Sequence, residues 1–376
     1  MSGLLEVLST QGADRQLWQQ AVSVLPAHQQ DTFFLPQYAA LYEGVTHEPA
    51  FLFRYGNEKR GVVMAGVKRS VNRLPFWKSD VSHRSYYDMA SPYGYGGPLV
   101  YGHDPAELPD LFASFREALH DYCLKEGIVA EFLRLHPLIR NHELFGQDEG
   151  LYQKNSTVWI DLRRTAEDIL GGMRSDHQRN VGKAVRKGVE IVYSDMQADD
   201  VKEFHRLYSM TMERLEALPM FFFPLAFFEE AADQLKGHVS CFLAKWNGKV
   251  ISAHLVLHRG HYIHNYLSGS DSEFRNLKPD VLITYKIALW AKARGYQFFH
   301  LGGGHACAVD SVFAFKSGFS PLRSSYYMYR HVHDPAAYTG LCAARKEFEQ
   351  RASGVRSADP IQEDYFPFYR AGLPSL

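Results

Sequence analysis

The sequence predicts an α/β (α+β) protein of two tandem lobes, each a mixed and mostly antiparallel sheet flanked by helices. Three observations carry this reading. The 376 residues suffice for two ordinary cores. Strand-like and helix-like runs recur in both halves without a close sequence repeat. The second half also holds an antiparallel meander followed by a helix and one further strand. A boundary near Gln153 gives lobes of residues 1–152 and 153–333. The remaining tail, 334–376, ends in Tyr365-Phe366-Pro367-Phe368-Tyr369, an aromatic run that predicts packing on the body.

Composition narrows the function classes. A chain that is 46% hydrophobic, 14% aromatic and 22% charged is too apolar to be disordered. Lys plus Arg (41) nearly cancels Asp plus Glu (42), so no global field favours DNA or an anionic membrane, and a polyanion needs a local patch. Cys123, Cys241, Cys307 and Cys342 are scattered without metal or disulfide spacing and read as reduced thiols. The first twenty residues lack the pattern of a signal peptide, and no run approaches the ~18 apolar residues of a membrane span. The expected compartment is the cytoplasm, and nothing in the sequence fixes the oligomeric state.

The elements follow in order. Residues 50–55 and 61–68 form a hairpin about the turn Gly56-Asn57-Glu58-Lys59. A strand at 86–90 runs into the loop Ser91-Pro92-Tyr93-Gly94-Tyr95-Gly96-Gly97-Pro98. Asp104-Pro105 then caps a helix ending near Gly127, because Leu108, Leu111, Phe112, Phe115, Leu119 and Tyr122 recur at helical spacing. Residues 128–135 complete the first set of strands. In the second half a strand at 157–161 precedes a helix capped by Thr165. A basic helix ends at Gly188, ahead of a strand at 189–193. Helices are expected at 198–217 and 224–236. The meander 238–246, 250–258 and 262–267 turns at Asn247-Gly248 and Arg259-Gly260. Pro279 starts a helix to Arg294, and the strand 297–301 ends in Gly302-Gly303-Gly304.

The order of meander, crossover helix and strand resembles the GNAT acetyltransferase superfold. Four strings, residues 91–98, 268–279 (SGSDSEFRNLKP), 301–304 (LGGG) and 313–319 (FAFKSGF), further resemble the FemAB-like branch of acyltransferases. The likeness runs from about Phe33 to Tyr329. It implies two GNAT-like lobes and transfer of an amino acid from aminoacyl-tRNA to an amine of a peptidoglycan precursor; relatives in polysaccharide gene clusters are often described as acetyltransferases. The positions that hold a nucleotide diphosphate in that family fall here on Phe223 and Phe227, and no insertion matches the long helical hairpin of some members.

Chemistry singles out Lys316. Acyl transfer from an ester or thioester passes through a tetrahedral oxyanion, which a cation in a dry pocket stabilises. Phe313, Phe315 and Phe319 are expected to wall that pocket, and the resemblance gives the lysine this role. Its alternative is a lysine stem laid over aromatic rings. Gly302, Gly303 and Gly304 offer bare backbone to a ligand or form a plain turn. His305 and Asp310 either order an amine and take its proton or cap the loop. Tyr266 is a substrate contact by resemblance, and Tyr93 and Tyr95 are expected to close one wall of the cleft. Arg179, Lys183, Arg186 and Lys187 share a helical face after Arg174 and His177, a phosphate footprint for tRNA or CoA or simply a solvated face.

No tightly bound cofactor is expected; the donor is aminoacyl-tRNA or acyl-CoA, and the acceptor an amine-bearing precursor. The turn where GNAT enzymes bind pyrophosphate holds SEFRNLK, without glycine, which weighs against CoA. No metal site is expected from His254, His258, His261 and His264. The first two would stand about 13 Å apart on one strand.

Overall fold

The computed structural model describes residues 4–77, 84–102, 104–305, 308–353 and 365–373. The chain forms two compact units. One comprises Met1–Leu25, Phe33–Gln153 and Tyr327–Leu376, the other Pro26–Thr32 and Lys154–Tyr326.

The first unit contains β1 (Leu4–Ser9), α1 (Gly12–Ser23), α2 (Pro36–Thr46), β2 (Ala50–Gly56), β3 (Gly61–Ser70), β4 (Tyr87–Ala90), β5 (Leu99–Tyr101), α3 (Leu108–Lys125) and β6 (Ile128–Arg134). β1, β2, β3 and β4 pair antiparallel in that order, β4 pairs parallel with β6, and β5 lies against β3. The β2–β3 turn closes because Asn57 Oδ1 accepts the N–H groups of Lys59 and Arg60, an Asx turn. α3 begins four residues later than Asp104 suggests. The Asp104 carboxylate instead accepts the Ala106 N–H in a separate turn, and Pro109 sits in the first helical turn, where no donor is needed. Phe112, Phe115, Leu119 and Cys123 of α3 pack on Phe53, Met64, Met89 and Leu133.

The second unit runs β7 (Leu151–Asp161), α4 (Ala166–Gly171), α5 (Ser175–Arg186), β8 (Glu190–Ser194), α6 (Ala198–Arg214), α7 (Leu225–Gln234), β9 (Val239–Trp246), β10 (Lys249–Arg259), β11 (Tyr262–Ser270), α8 (Pro279–Ala293), β12 (Phe298–Gly302) and α9 (Ser311–Ser317). Its strand order is β7-β12-β11-β10-β9-β8, antiparallel except for the parallel pair β11 and β12. Thr165 Oγ1 caps α4 by accepting the Asp168 N–H. Asn247 (φ 49°) and Gly248 (φ 79°) form the two-residue turn that suits a twisted hairpin. α8 is apolar on most of its surface, and a helix of that kind must be enclosed. Val281, Leu282, Ile283, Ile287, Ala288 and Ala291 are buried against Phe242, Ile263, Phe299 and Leu301 of the sheet.

The chain then enters β13 (Arg323–Val332) and α10 (Pro335–Ser353). Residues 328–332 pair antiparallel with β6, from Met328↔Arg134 to Val332↔Ala130. Leu341 of α10 and Tyr369 complete a small core with Val71, Leu74, Phe76 and Val129. Arg370 and Arg69 both reach the buried carboxylate of Asp88, which offsets one of the two positive charges. Cys123, Cys241 and Cys342 are free thiols, while Cys307 lies outside the described residues. Among the described residues no helix is long and apolar enough to cross a membrane.

Candidate active site

The sheet of the second unit parts at one place. β11 and β12 pair only from Tyr262↔Phe298 to His264↔His300. Immediately beyond, the register of β11 against β10 slips, so that Asn265 and Leu267 have partners and Tyr266 is the extra residue of a bulge. β12 slips against β7 between His300 and Gly302 in the same way, leaving Leu301 extra. A bulge bends its strand and sharpens its twist. Two of them at the end of a short parallel pairing separate the strands, with half-buried Tyr266 on one side and Gly302, in the left-handed region at φ 78°, on the other.

α9 is fastened across this opening. Lys316 Nζ donates to Gly303 O at 2.6 Å, and the ammonium is half-buried. Asp310 caps α9: its Oδ1 accepts the Phe313 N–H and its Oδ2 the His305 N–H, both at 2.8 Å. Burial raises the Asp310 pKa, but these N–H bonds outweigh it and hold the carboxyl below its ordinary value. Of the two readings of Asp310, the structure thus shows the cap. A Cβ at Gly304 would collide with Ala308 O and with that same carboxylate, so the glycine is needed for close packing. His305 is exposed.

The aromatic wall expected around Lys316 is arranged differently. Phe319 is buried in the main core, Phe313 packs against that core beneath Arg323, and Phe315 is exposed. His177, expected beside the basic face, is buried and belongs to packing. Its Nε2 lies 3.1 Å from Phe315 O and its ring meets Phe319 edge-on at 4.7 Å. Burial lowers its pKa, leaving it neutral. Gly318 permits this, since any Cβ there would strike the His177 ring.

A cleft of about 410 Å³ opens between the N-termini of α5 and α8 and one face of α9. Arg174, Asn180, Arg275 and Lys278 line it, with Ser311, Ala314 and Phe315 from α9. Two acids also border it, and each is engaged: Asp176 pairs with Arg174, and Asp280 accepts from Ser252 Oγ at 2.7 Å. Arg275 and Lys278 form no ion pair among the described residues. Two helix N-termini, with Arg275 and Lys278 beside them, give this cleft a positive lining. Arg179, Lys183, Arg186 and Lys187 extend the positive charge along α5 and past its C-terminal end, all exposed except half-buried Lys183. The glycine-poor turn before α8 is therefore cationic, a property residue type alone displayed but local pattern did not connect to Arg174.

A second constellation has no local sequence signature. Asp31 Oδ2 is 2.7 Å from His264 Nε2, and His264 Nδ1 is 3.3 Å from His300 Nδ1. All three are buried, and they end at the last β11–β12 pair before the strands part. Its only trace in the sequence is a histidine at an otherwise apolar strand position. The other meander histidines have separate partners: His254 meets Asn265, and His258 bridges Ser240 Oγ and the Tyr296 hydroxyl. Tyr93 and Tyr95 lie in the first unit, Tyr93 stacked on Tyr42 and Tyr95 edge-on to Phe33 and His136. Phe223 and Phe227 stack at 4.4 Å and are buried, so they serve packing.

Residues 172–317 match the sequence profile of the acetyltransferase (GNAT) domain. Among curated proteins none matches the chain significantly. Among solved structures the fold is similar to FemX, at TM-score 0.65 and 15% identity over 89% of this chain and 99% of that one. It is also similar to a conserved protein of unknown function from Bacteroides thetaiotaomicron, at TM-score 0.54 and 11% identity over 84% and 96% of the two chains. A tandem GNAT protein from the clavulanic acid biosynthesis pathway matches at TM-score 0.49 and 12% identity, over 88% and 99%. At such identities the structural likeness is one of fold. The profile match adds the class: residues 172–317 are similar to a GNAT acetyltransferase domain, and the chain is an acyltransferase.

One buried histidine gives a pH signature. Burial, aided by His238, pushes the His258 pKa down to about 4 from 6.5. Between these values the unfolded chain binds a proton that the folded chain refuses, so stability is full above pH 6.5 and lost as pH falls toward 4. Urea unfolding should show a loss of up to about 3 kcal/mol across that window. His258→Gln should flatten this component; an unchanged profile would contradict the assignment.

Proposed function

We propose that this chain transfers an acyl or aminoacyl group from a phosphate-bearing ester or thioester to an amine, using the parted strands of the second unit as its active site. The observation that carries the reading is the Lys316 ammonium fixed on Gly303 O at the opening. In this scheme the acceptor amine attacks the donor carbonyl carbon. Negative charge develops on the carbonyl oxygen, and Lys316 stabilises it in a half-buried site where electrostatic terms are larger than in water. The new C–N bond forms, the C–O or C–S bond of the donor breaks, and the leaving oxygen or sulfur departs with a proton.

His264, oriented by Asp31 and coupled to His300, takes the amine proton. Histidine is the residue most often used for that task, whereas both Asp310 oxygens accept the N–H bonds that cap α9. His305, exposed at the loop, remains a contact for the acceptor. Tyr266 and Phe315 border the bound substrate, and Gly302 to Gly304 admit it without side-chain obstruction.

The cleft at the α8 N-terminus holds the donor phosphates. Acyl-CoA and charged tRNA share that chemistry. The cationic turn favours a CoA pyrophosphate, whereas the exposed stripe Arg179, Lys183, Arg186 and Lys187 favours the longer backbone of tRNA. The FemAB-like resemblance supports the aminoacyl donor and an amine on a peptidoglycan or surface-polysaccharide precursor; an amino sugar is the acceptor under the CoA reading. Either donor places the reaction in the cytoplasm.

Three measurements test this. Lys316→Ala should lower kcat/KM by about 100- to 1000-fold with the melting temperature retained; undiminished turnover would leave only a binding module on this fold. His264→Gln should reduce kcat by about 100-fold at constant donor KM, and full activity would remove the histidine from the mechanism. Arg275→Ala should raise donor KM on the order of tenfold in a salt-sensitive way. Running it against acyl-CoAs and charged tRNAs identifies the donor, since only the true one responds.

A further inference from the structure

The first unit contains three imidazoles that no step of the proposed reaction uses. His331 lies among the last residues of β13 that pair with β6, and His333 follows just past the end of that strand, with its ring 4.8 Å from that of His331. His120 projects from α3 toward them. His120 Nδ1 and His333 Nδ1 stand 3.0 Å apart, and one ring nitrogen from each of the three residues lies within 4.8 Å of the others. Ring centroids are 4.8 Å apart for His331 and His333 and 5.3 Å for His120 and His333. Nitrogens at tetrahedral positions 2.0–2.1 Å from a zinc ion would be separated by roughly 3.3 Å, so small side-chain rotations suffice to bring all three onto one centre.

We propose that His120, His331 and His333 form a binding site for a divalent transition metal of the zinc type.

The surroundings fit a ligand set. Glu131 is fully buried, lies directly opposite His331 across the β6–β13 pair, and has Oε2 3.6 Å from His333 Nε2. A carboxylate behind a ligating imidazole fixes its tautomer and raises its basicity. The Arg116 guanidinium pairs with that carboxylate at 2.8 Å and holds it in place behind the rings. His120 and His331 are half-buried, leaving an approach from solvent, whereas His333 is buried. Three nitrogen donors and no oxygen donor in the set exclude a magnesium- or calcium-type site. The bond to metal would tie α3 to β13 and so fasten the returning end of the chain to its unit. The contrary reading is that His120 and His333 make a plain N–H···N hydrogen bond and His331 merely packs against them.

The full-length chain, dialysed against chelator, should be titrated with Zn²⁺ by calorimetry and with Co²⁺ by visible spectroscopy. One ion per chain is expected, with the absorption of four-coordinate Co²⁺ and a rise in melting temperature. His120→Gln and His331→Gln should each weaken binding by about 100-fold or more and abolish the thermal shift. His142→Gln removes a histidine outside the cluster and should bind like the parent. Absence of stoichiometric uptake by the parent chain overturns the proposal, and so does uptake that persists in both cluster variants. If one variant fails to fold, the other variant and the parent titration still decide. Acyl transfer is read separately, so failure of this site and failure of the proposed reaction are distinguishable.

Discussion

The bond from the Lys316 ammonium to Gly303 O joins two features that would otherwise be separate: the end of a strand and a seven-residue helix too short to be stable alone. Asp310 caps that helix, Arg174 and His177 hold its carbonyls, and Gly318 lets α5 approach it. The opening itself comes from the sheet. Parallel pairing between β11 and β12 ends at His300, and a bulge on each strand directs them apart. A strand pair that separates leaves backbone polar groups facing a gap, which is costly unless water or a ligand meets them. The fold thus holds this opening by local irregularity in an otherwise regular sheet.

The cationic cleft rests on a different principle. Many anion sites use glycine so that a ligand can reach bare N–H groups. Here the turn before α8 carries Arg275 and Lys278, and Lys278 takes the left-handed conformation at φ 62° to begin the helix after a 3₁₀ turn. Side-chain charge and two helix termini replace close backbone approach.

Much of the architecture was legible from local pattern. The meander followed from period-two alternation and from Asn247-Gly248, and α8 from Pro279 and its apolar run. Thr165 announced the α4 cap. α3 started later than Asp104 implied, because an aspartate serves an isolated turn as readily as a helix cap. β1, α1, α2, β5, β13 and α10 gave no distinct local signal and emerged from packing. Lys316 and the glycine turn stood out by motif, but the aromatic residues beside them did not reveal their directions. Phe319 turns to the core while Phe315 stays exposed because α9 ends at Ser317, so that Phe319 lies past the helix on the chain that Gly318 leads away.

The sequence alone determined the succession of elements, the absence of a global charge bias and the residue types available for acyl transfer, since propensity, alternation and composition act over a few neighbouring residues. Only the tertiary structure decided which of those residues meet. Asp31 reaches His264 across 233 positions, and Arg174 comes to line one cleft with Arg275 and Lys278. His120 meets His333 across 213. Such encounters depend on strand order, bulge position and helix packing, which are properties of the folded chain as a whole and have no expression in any short stretch of it.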